Sequence, residues 1–231
     1  FIITSAELSE SVDNPDEDAA IGWGPYKLRS YTLDQEIALE KNEDFPGMSD
    51  AAPDVVVFRQ IREPEQRVTA LLNGEVQVAR LIPPQLVTRL EGNESVQVVE
   101  SASIEQMFLV FNPAHEPWDD VRVRQAAAYA INKDLIIDRF LMGLADRLDG
   151  PLGEQQICYQ GPLDFKIDYD PERSRELLAE AGYADGGPSI EFHTASGRYI
   201  SDRQVSEIVT QMLGEVGFDV NLVVPEYANL T

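Results

Sequence analysis

Residues 189–224 constrain this chain more than any other stretch. Ile190, Phe192 and Thr194 alternate along one side of a strand, and the loop "ASGRYISD" follows. Val205, Ile208, Val209, Met212, Leu213 and Val216 then fall at the i, i+3, i+4, i+7, i+8 and i+11 positions of a helix. Gly217 stops that helix, and Phe218, Val220, Leu222 and Val224 alternate again. Strand, helix and strand joined this closely predict a parallel, right-handed crossover. The class is therefore α/β with a mixed sheet.

The upstream segments supply further elements. Tyr26 to Leu33 and Glu36 to Glu40 read as a hairpin around Asp34-Gln35, and Asp54 to Ile61, "DVVVFRQI", reads as a third strand apolar enough to be buried on both faces. Pro64 opens a helix with Val68, Leu71 and Leu72 on one face, and Gly74 ends it. Strands are expected at Val76 to Leu81, at "VQVVE" and at Ile104 to Asn112, with a short helix over "PPQLVTRLEG". Asn132 can cap a helix carrying Ile136, Ile137, Phe140 and Leu141, and residues 143–168 read as an irregular connection. Asp170-Pro171 starts a helix that turns Leu177, Leu178 and Ala181 inward and closes at Gly182.

One motif invites a catalytic reading. In "FNPAHEPWDDVRVRQAAAYAIN" two carboxylates, Asp119 and Asp120, stand before Arg122 and Arg124. Adjacent carboxylates at a helix start do not face each other as an acid and base would, and no histidine is near to relay protons. The spacing fits a capped helix, with Val121, Ala128 and Ile131 forming part of its buried side.

Charge and cysteine usage exclude whole classes. A net charge of -23, from 18 basic and 41 acidic residues, argues against nucleic-acid and anionic-membrane partners, whose phosphates need a Lys/Arg patch. Such an acidic balance reads as a solubility or salt-adaptation trait. The single cysteine, Cys158, rules out an internal disulfide and any multi-cysteine metal cluster. No run of 18 apolar residues spans a bilayer, and the first twenty residues lack the pattern of a signal peptide. The chain opens on Phe1 and stops at "VVPEYANLT", so an internal piece of a longer protein is expected. There is no G-x-S-x-G, P-loop, H-E-x-x-H or G-x-G-x-x-G, and the two histidines, His115 and His193, lie far apart, His193 on the exposed side of its strand. No metal site and no cofactor are expected.

Collinear motifs then point to a family. "FLVFNPAHEPWDDVRVRQAAAYAINKDLII" resembles the strand-helix segment of the family 5 extracellular solute-binding proteins of ABC transporters, the dipeptide, oligopeptide and nickel group. "GWGPYKL", "QRVTALLNGEVQVARLIPP", "YDPERSRELLAEAGY", "SGRYISDRQVSEIVTQML" and "GFDVNLVVPEY" resemble that family in the same order, from about Gly22 to Tyr227. Trp23 stands where the family usually has a small residue or threonine, and Gln77 where it often has an acid. The resemblance implies a type II periplasmic binding protein-like fold, with mixed sheets, flanking helices and part of a two-lobe architecture. Residues 1–105 would belong to the first lobe and 106–231 to the first half of the second. The aspartate that such proteins present to a peptide amine would lie downstream of Thr231.

What the resemblance implies for function is capture, without bond breaking, of a small solute, by default a di- or oligopeptide. The protein would be a monomer, periplasmic or extracellular, and would dock on membrane permease subunits. Cleft candidates are Trp23, Tyr26, Phe111 and Asn112, with Ser196, Gly197, Arg198 and Tyr199 in the loop beyond a parallel strand's carboxyl end, where open α/β sheets place ligands. Each has a plainer role available: Tyr26 in strand packing, Asn112 in a turn, Arg198 as a solvated charge. Two alternatives differ in class. A ligand-sensing domain of a transcriptional regulator would show a helix-turn-helix upstream of Phe1. A glycosidase would show two acids about 5–9 Å apart at the base of a closed pocket.

Overall fold

The computed structural model describes residues 24–101, 103–161, 166–184, 186–196 and 199–225. The chain divides into two compact units, Phe1–Glu63 and Pro64–Thr231.

In the first unit β1 (Tyr26–Thr32), β2 (Glu36–Lys41) and β3 (Val55–Arg59) form an antiparallel meander. The expected hairpin forms, with Gln35 N–H donating to Thr32 O at 3.1 Å and Asp34 in the left-handed region, which aspartate tolerates better than most residues. A register shift between Leu28 and Ser30 bulges β1. Tyr31, Ile37 and Phe58 stand opposite one another across the three strands, as do Leu28, Leu39 and Val56. β3 corrects an expectation: it is an edge strand, and its residues Val57 and Phe58 are 50% and 56% exposed, not buried on both faces. A continuous apolar run shows what a strand is able to bury, not what covers it.

The second unit has its core between helices and a parallel pair. Helix α1 (Pro64–Leu72) buries Val68 and Ala70 and ends before Gly74, whose φ is +74°. Helix α2 is the short Pro84–Val87. The strands expected at 76–81, 96–100 and 104–112 do not form: none of these segments belongs to a ladder. Leu81 O is taken instead by the Arg67 guanidinium at 2.8 Å. Residues 108–111 keep a strand's alternation, with Leu109 and Phe111 packed on the core and Phe108 and Val110 exposed. Alternation specifies a pleat's two faces, whereas a strand also needs a hydrogen-bonding neighbour.

Helix α3 (Val121–Ala130) turns Val123, Ala126, Ala127 and Ala130 inward, an i, i+3, i+4, i+7 stripe. Val121 is 53% exposed, which corrects its assignment to the buried side. Asn132 caps α4 (Lys133–Leu135), its side-chain oxygen accepting from Leu135 N–H at 2.9 Å. A π-helical turn over Ile136–Phe140 continues the chain, and its last carbonyl, Phe140 O, accepts from Gln85 Nε2 at 2.6 Å. Helix α5 (Pro171–Glu180) is capped by Asp170, which accepts from Arg173 N–H at 2.9 Å, and it buries Leu177 and Leu178. Ser174, fully buried on α5, donates to Ala126 O of α3 at 2.8 Å.

Between the π turn and α5 no regular element forms among the described residues, as expected. Arg147 pins this connection by pairing with Asp134 at 2.9 Å, Asp149 at 3.0 Å and Asp168 at 2.7 Å. Lys133 joins Asp149 at 3.2 Å. Partial burial would raise the Asp149 carboxyl, but the bonds from Arg147 and Lys133 outweigh it and hold the group below its ordinary value.

The final unit forms as the sequence predicts. β4 (Ser189–His193) and β5 (Asp219–Val223) pair in parallel, and α6 (Asp202–Val216) crosses between them. Ile190, Val209, Leu213, Val216 and Phe218 join α3 and α5 in one core. The approach to β4 is tight: a Cβ on Gly187 would lie 1.9 Å from Gly217 O. Gly187→Ala is therefore expected to cost about 1–3 kcal/mol. Gly214→Ala, in open space on α6, should instead stabilise by about 0.5–1 kcal/mol. Urea denaturation of both variants checks the contrast, and equal midpoints would contradict it.

Candidate functional site

The carboxyl end of the parallel pair carries a polar corner. Thr194 N–H donates to Val223 O at 3.0 Å, extending the ladder one residue beyond β4. The Thr194 hydroxyl receives Ser206 Oγ at 2.8 Å, and Ser206 Oγ also lies 2.9 Å from Asp202 O. Exposed Ser196 and half-buried Tyr199 sit on the intervening loop. Tyr199 N–H donates to Asp202 Oδ2 at 3.0 Å, and Arg203 N–H donates to Asp202 Oδ1 at 2.8 Å. One buried carboxylate thus ties the loop to the first turn of α6. On the helix surface Arg203 pairs with Glu207 at 2.9 Å, four residues on.

The other candidates fall elsewhere. Trp23, Gly197 and Arg198 lie outside the described residues. Tyr26 belongs to the first unit, where its hydroxyl donates to Pro53 O at 2.8 Å. Phe111 packs on Trp118 with centroids 4.5 Å apart and planes tilted by 32°, and Trp118 stacks on Phe218 at 6.1 Å. Phe218 precedes β5, so this stack leans on the end of the parallel pair opposite the Ser196–Tyr199 loop. Asn112 shapes the next turn: its side-chain oxygen accepts from Ala114 N–H at 3.1 Å and its carbonyl from His115 N–H at 3.2 Å. Of the candidates described, Ser196 and Tyr199 lie in the segment between β4 and α6, and Phe111 and Asn112 lie ahead of α3.

Sequence reasoning passed over Ser201, Asp202 and Ser206, all buried. The available signal is positional. Asp202 and Ser206 are spaced i, i+4 on the stripe that continues through Val209, Leu213 and Val216, so two polar residues occupy the helix's inward face.

The Asp119/Asp120 motif is a structural joint. Asp120 Oδ1 accepts from Arg122 N–H at 2.8 Å, and the Arg122 guanidinium grips both Asp120 oxygens while donating to Glu180 O at the end of α5 at 2.5 Å. Arg124 donates to Trp118 O and to Asp119 O, the latter at 3.1 Å. His193 is exposed beside Glu191 at 3.2 Å. Among the described residues no group of three His, Cys, Asp or Glu side chains is arranged to hold a metal ion. In the first unit an open groove of about 290 Å³ runs past Tyr31, Leu33, Ile37 and Phe58.

Comparison with known proteins agrees with this architecture. Residues 2–231 match the family described as "Bacterial extracellular solute-binding proteins, family 5 Middle". The glutathione-binding protein GsiB of Pectobacterium atrosepticum is 30% identical over 207 residues, covering 87% of this chain and 38% of that protein. The ABC transporter-associated periplasmic binding protein DppA of Helicobacter pylori, solved with the peptide STSA, is similar at a TM-score of 0.81 and 29% identity, over 90% of this chain and 39% of that one. NikA of Staphylococcus aureus, solved with Ni(L-His)2, shares the fold at a TM-score of 0.78 and 20% identity, over 88% of this chain and 43% of its own. The chain thus spans about two-fifths of the length of these relatives.

The Asp120 cap yields a pH prediction. Its carboxyl is held below the ordinary value by the Arg122 side-chain bonds first and the Arg122 N–H second, against the opposing effect of burial. A folded-state value below the unfolded ~3.9 means that the contribution is present above that pH and is lost as pH falls through the lower value. Asp120→Ala should lower Tm by a few degrees at pH 7, and the gap to wild type should narrow as pH falls below the unfolded ~3.9. Melts across pH 2–7 check this; a gap constant with pH would contradict it.

Proposed function

The chain belongs to the family 5 bacterial extracellular solute-binding proteins, and on that premise we propose that the whole protein is the substrate-binding component of an ABC transporter. It captures a peptide-like solute between two lobes, breaks no bond, and presents the closed form to membrane permease subunits. The observation that carries this reading is the likeness to the H. pylori peptide receptor, which extends over 90% of the chain. The GsiB relative makes glutathione, itself a tripeptide thiol, a natural member of the same solute class. Residues 106–231 supply the first half of the second lobe, and residues 1–105 part of the first. The protein works as a monomer outside the cytoplasmic membrane. Among the described residues no helix is long and apolar enough to cross a membrane.

The geometry favours the loop carrying Ser196 and Tyr199 as this chain's contribution to solute contact. It follows the carboxyl end of β4, where open α/β sheets place ligands, and it carries an exposed serine, Ser196, and a half-buried tyrosine, Tyr199. Peptide recognition needs such polar groups to pair with backbone amides and carbonyls.

The test is calorimetry and thermal shift on the full-length protein with di- to pentapeptides, glutathione and nickel-histidine. The proposal expects a peptide or glutathione to stabilise the protein by about 2.7 kcal/mol at a hundredfold excess over Kd. Stabilisation by nickel-histidine alone would replace the peptide class, and no response to any of the three would remove the receptor reading.

A further inference from the structure

The geometry points to a residue that prepares the site without being part of it: we infer that Asp202 is the positioning residue of Tyr199, holding that residue's backbone in place before solute arrives. The inference rests on the reading that the loop carrying Tyr199 meets the solute.

Three observations carry it. First, the buried polar and charged residues among those described are Ser174, Ser201, Asp202 and Ser206. Ser174 is accounted for by its bond to α3. The other three occupy this one corner, at 6%, 5% and 7% exposure. Second, five non-glycine residues among those described have a positive φ: Asp34, Leu81, Met142, Cys158 and Ser201. Ser201 alone is buried, at φ +59°, so its unfavourable backbone is fixed by its surroundings and not left free to relax into solvent. Third, the two oxygens of Asp202 are divided between the structures that must be joined. Oδ2 takes the Tyr199 amide from the loop, and Oδ1 takes the Arg203 amide from the helix.

A serine at this place would satisfy one helix amide without burying a charge. A carboxylate costs far more to bury and is retained where it accepts several hydrogen bonds. Here the second oxygen gains a bond to the loop. Ser206 completes the frame by bonding Thr194 Oγ1 at the end of β4 and standing 2.9 Å from Asp202 O. A Tyr199 backbone fixed in advance loses little conformational freedom on binding, which is how groups that never touch a ligand raise its affinity.

The experiment uses the full-length protein, with glutathione and the tetrapeptide Ser-Thr-Ser-Ala as probes, and Asp202→Asn, Ser206→Ala, Ser196→Ala and Tyr199→Ala as variants. The carboxamide introduced by Asp202→Asn would turn its NH2 against one of the two backbone N–H donors. Asp202→Asn should weaken the bound probe about tenfold and speed hydrogen exchange at the Tyr199 amide of the free protein by a similar factor, leaving amides at Val209–Leu213 unchanged. Ser206→Ala should act in the same direction, more weakly, and it serves as the readout if Asp202→Asn fails to fold. If Tyr199→Ala or Ser196→Ala weakens binding and neither Asp202→Asn nor Ser206→Ala does, the positioning role is wrong and the site reading stands. If a probe binds and none of the four variants changes its affinity, the site reading itself is wrong. If neither probe binds, unchanged exchange at the Tyr199 amide overturns the positioning role.

Discussion

The contact on which the second unit depends is the seam between α3 and α5. Ala126, Ala127 and Ala130 leave α3 almost without side-chain bulk on its inner face, so α5 can approach until a serine side chain reaches a backbone carbonyl. Leu177 and Leu178 fill the remaining space, and truncating a leucine buried to this degree costs about 2–5 kcal/mol. Capping fixes the ends of the same pair. Asp120 starts α3, Asp170 starts α5, and Arg122 ties the first turn of α3 to the last carbonyl of α5. The parallel pair and α6 pack on this seam, which therefore anchors β4, the strand that leads to Ser196.

The sequence disclosed features governed by local physics. Helix starts at Pro64, Asp120, Asn132 and Asp170 were legible because capping is a bond between near neighbours, and the β4–α6–β5 unit was legible because its periods switch cleanly from 2 to 3.6 and back. Pairing was not legible. Residues 76–81, 96–100 and 104–112 have strand-like composition without a ladder, and β3 has a core-like composition at an exposed edge. Val121 failed for a different reason: the inward face of α3 runs through Val123, Ala126, Ala127 and Ala130, out of phase with a stripe starting at Val121. The candidate site divided in the same way. The loop after β4 could be found from topology, whereas Asp202 and Ser206 acquire meaning only when the helix face they occupy is seen to be buried.

A binding site of this kind asks two things of its scaffold, a frame that does not deform and a rim that is set in advance. The alanine seam supplies the first, and on the proposed reading the carboxylate corner supplies the second. The excess of 41 acidic over 18 basic residues is compatible with both, since the arginines at the described joints are drawn into ion pairs or carbonyl caps at helix ends and connections, and much of the negative charge remains on the surface. That distribution serves solubility and does not create a cationic field for nucleic acid.

The most direct test of the central claim is a photocrosslink. Tyr199 of the full-length protein is replaced by benzoylphenylalanine, with Ile157, 93% exposed, replaced in a control, and both are irradiated with the solute that stabilises the wild type. The account predicts a solute adduct at position 199, suppressed by excess unlabelled solute, and none at 157. Adduct formation at neither position, in a protein that still binds the solute, would place the site away from the β4 carboxyl end and contradict the account.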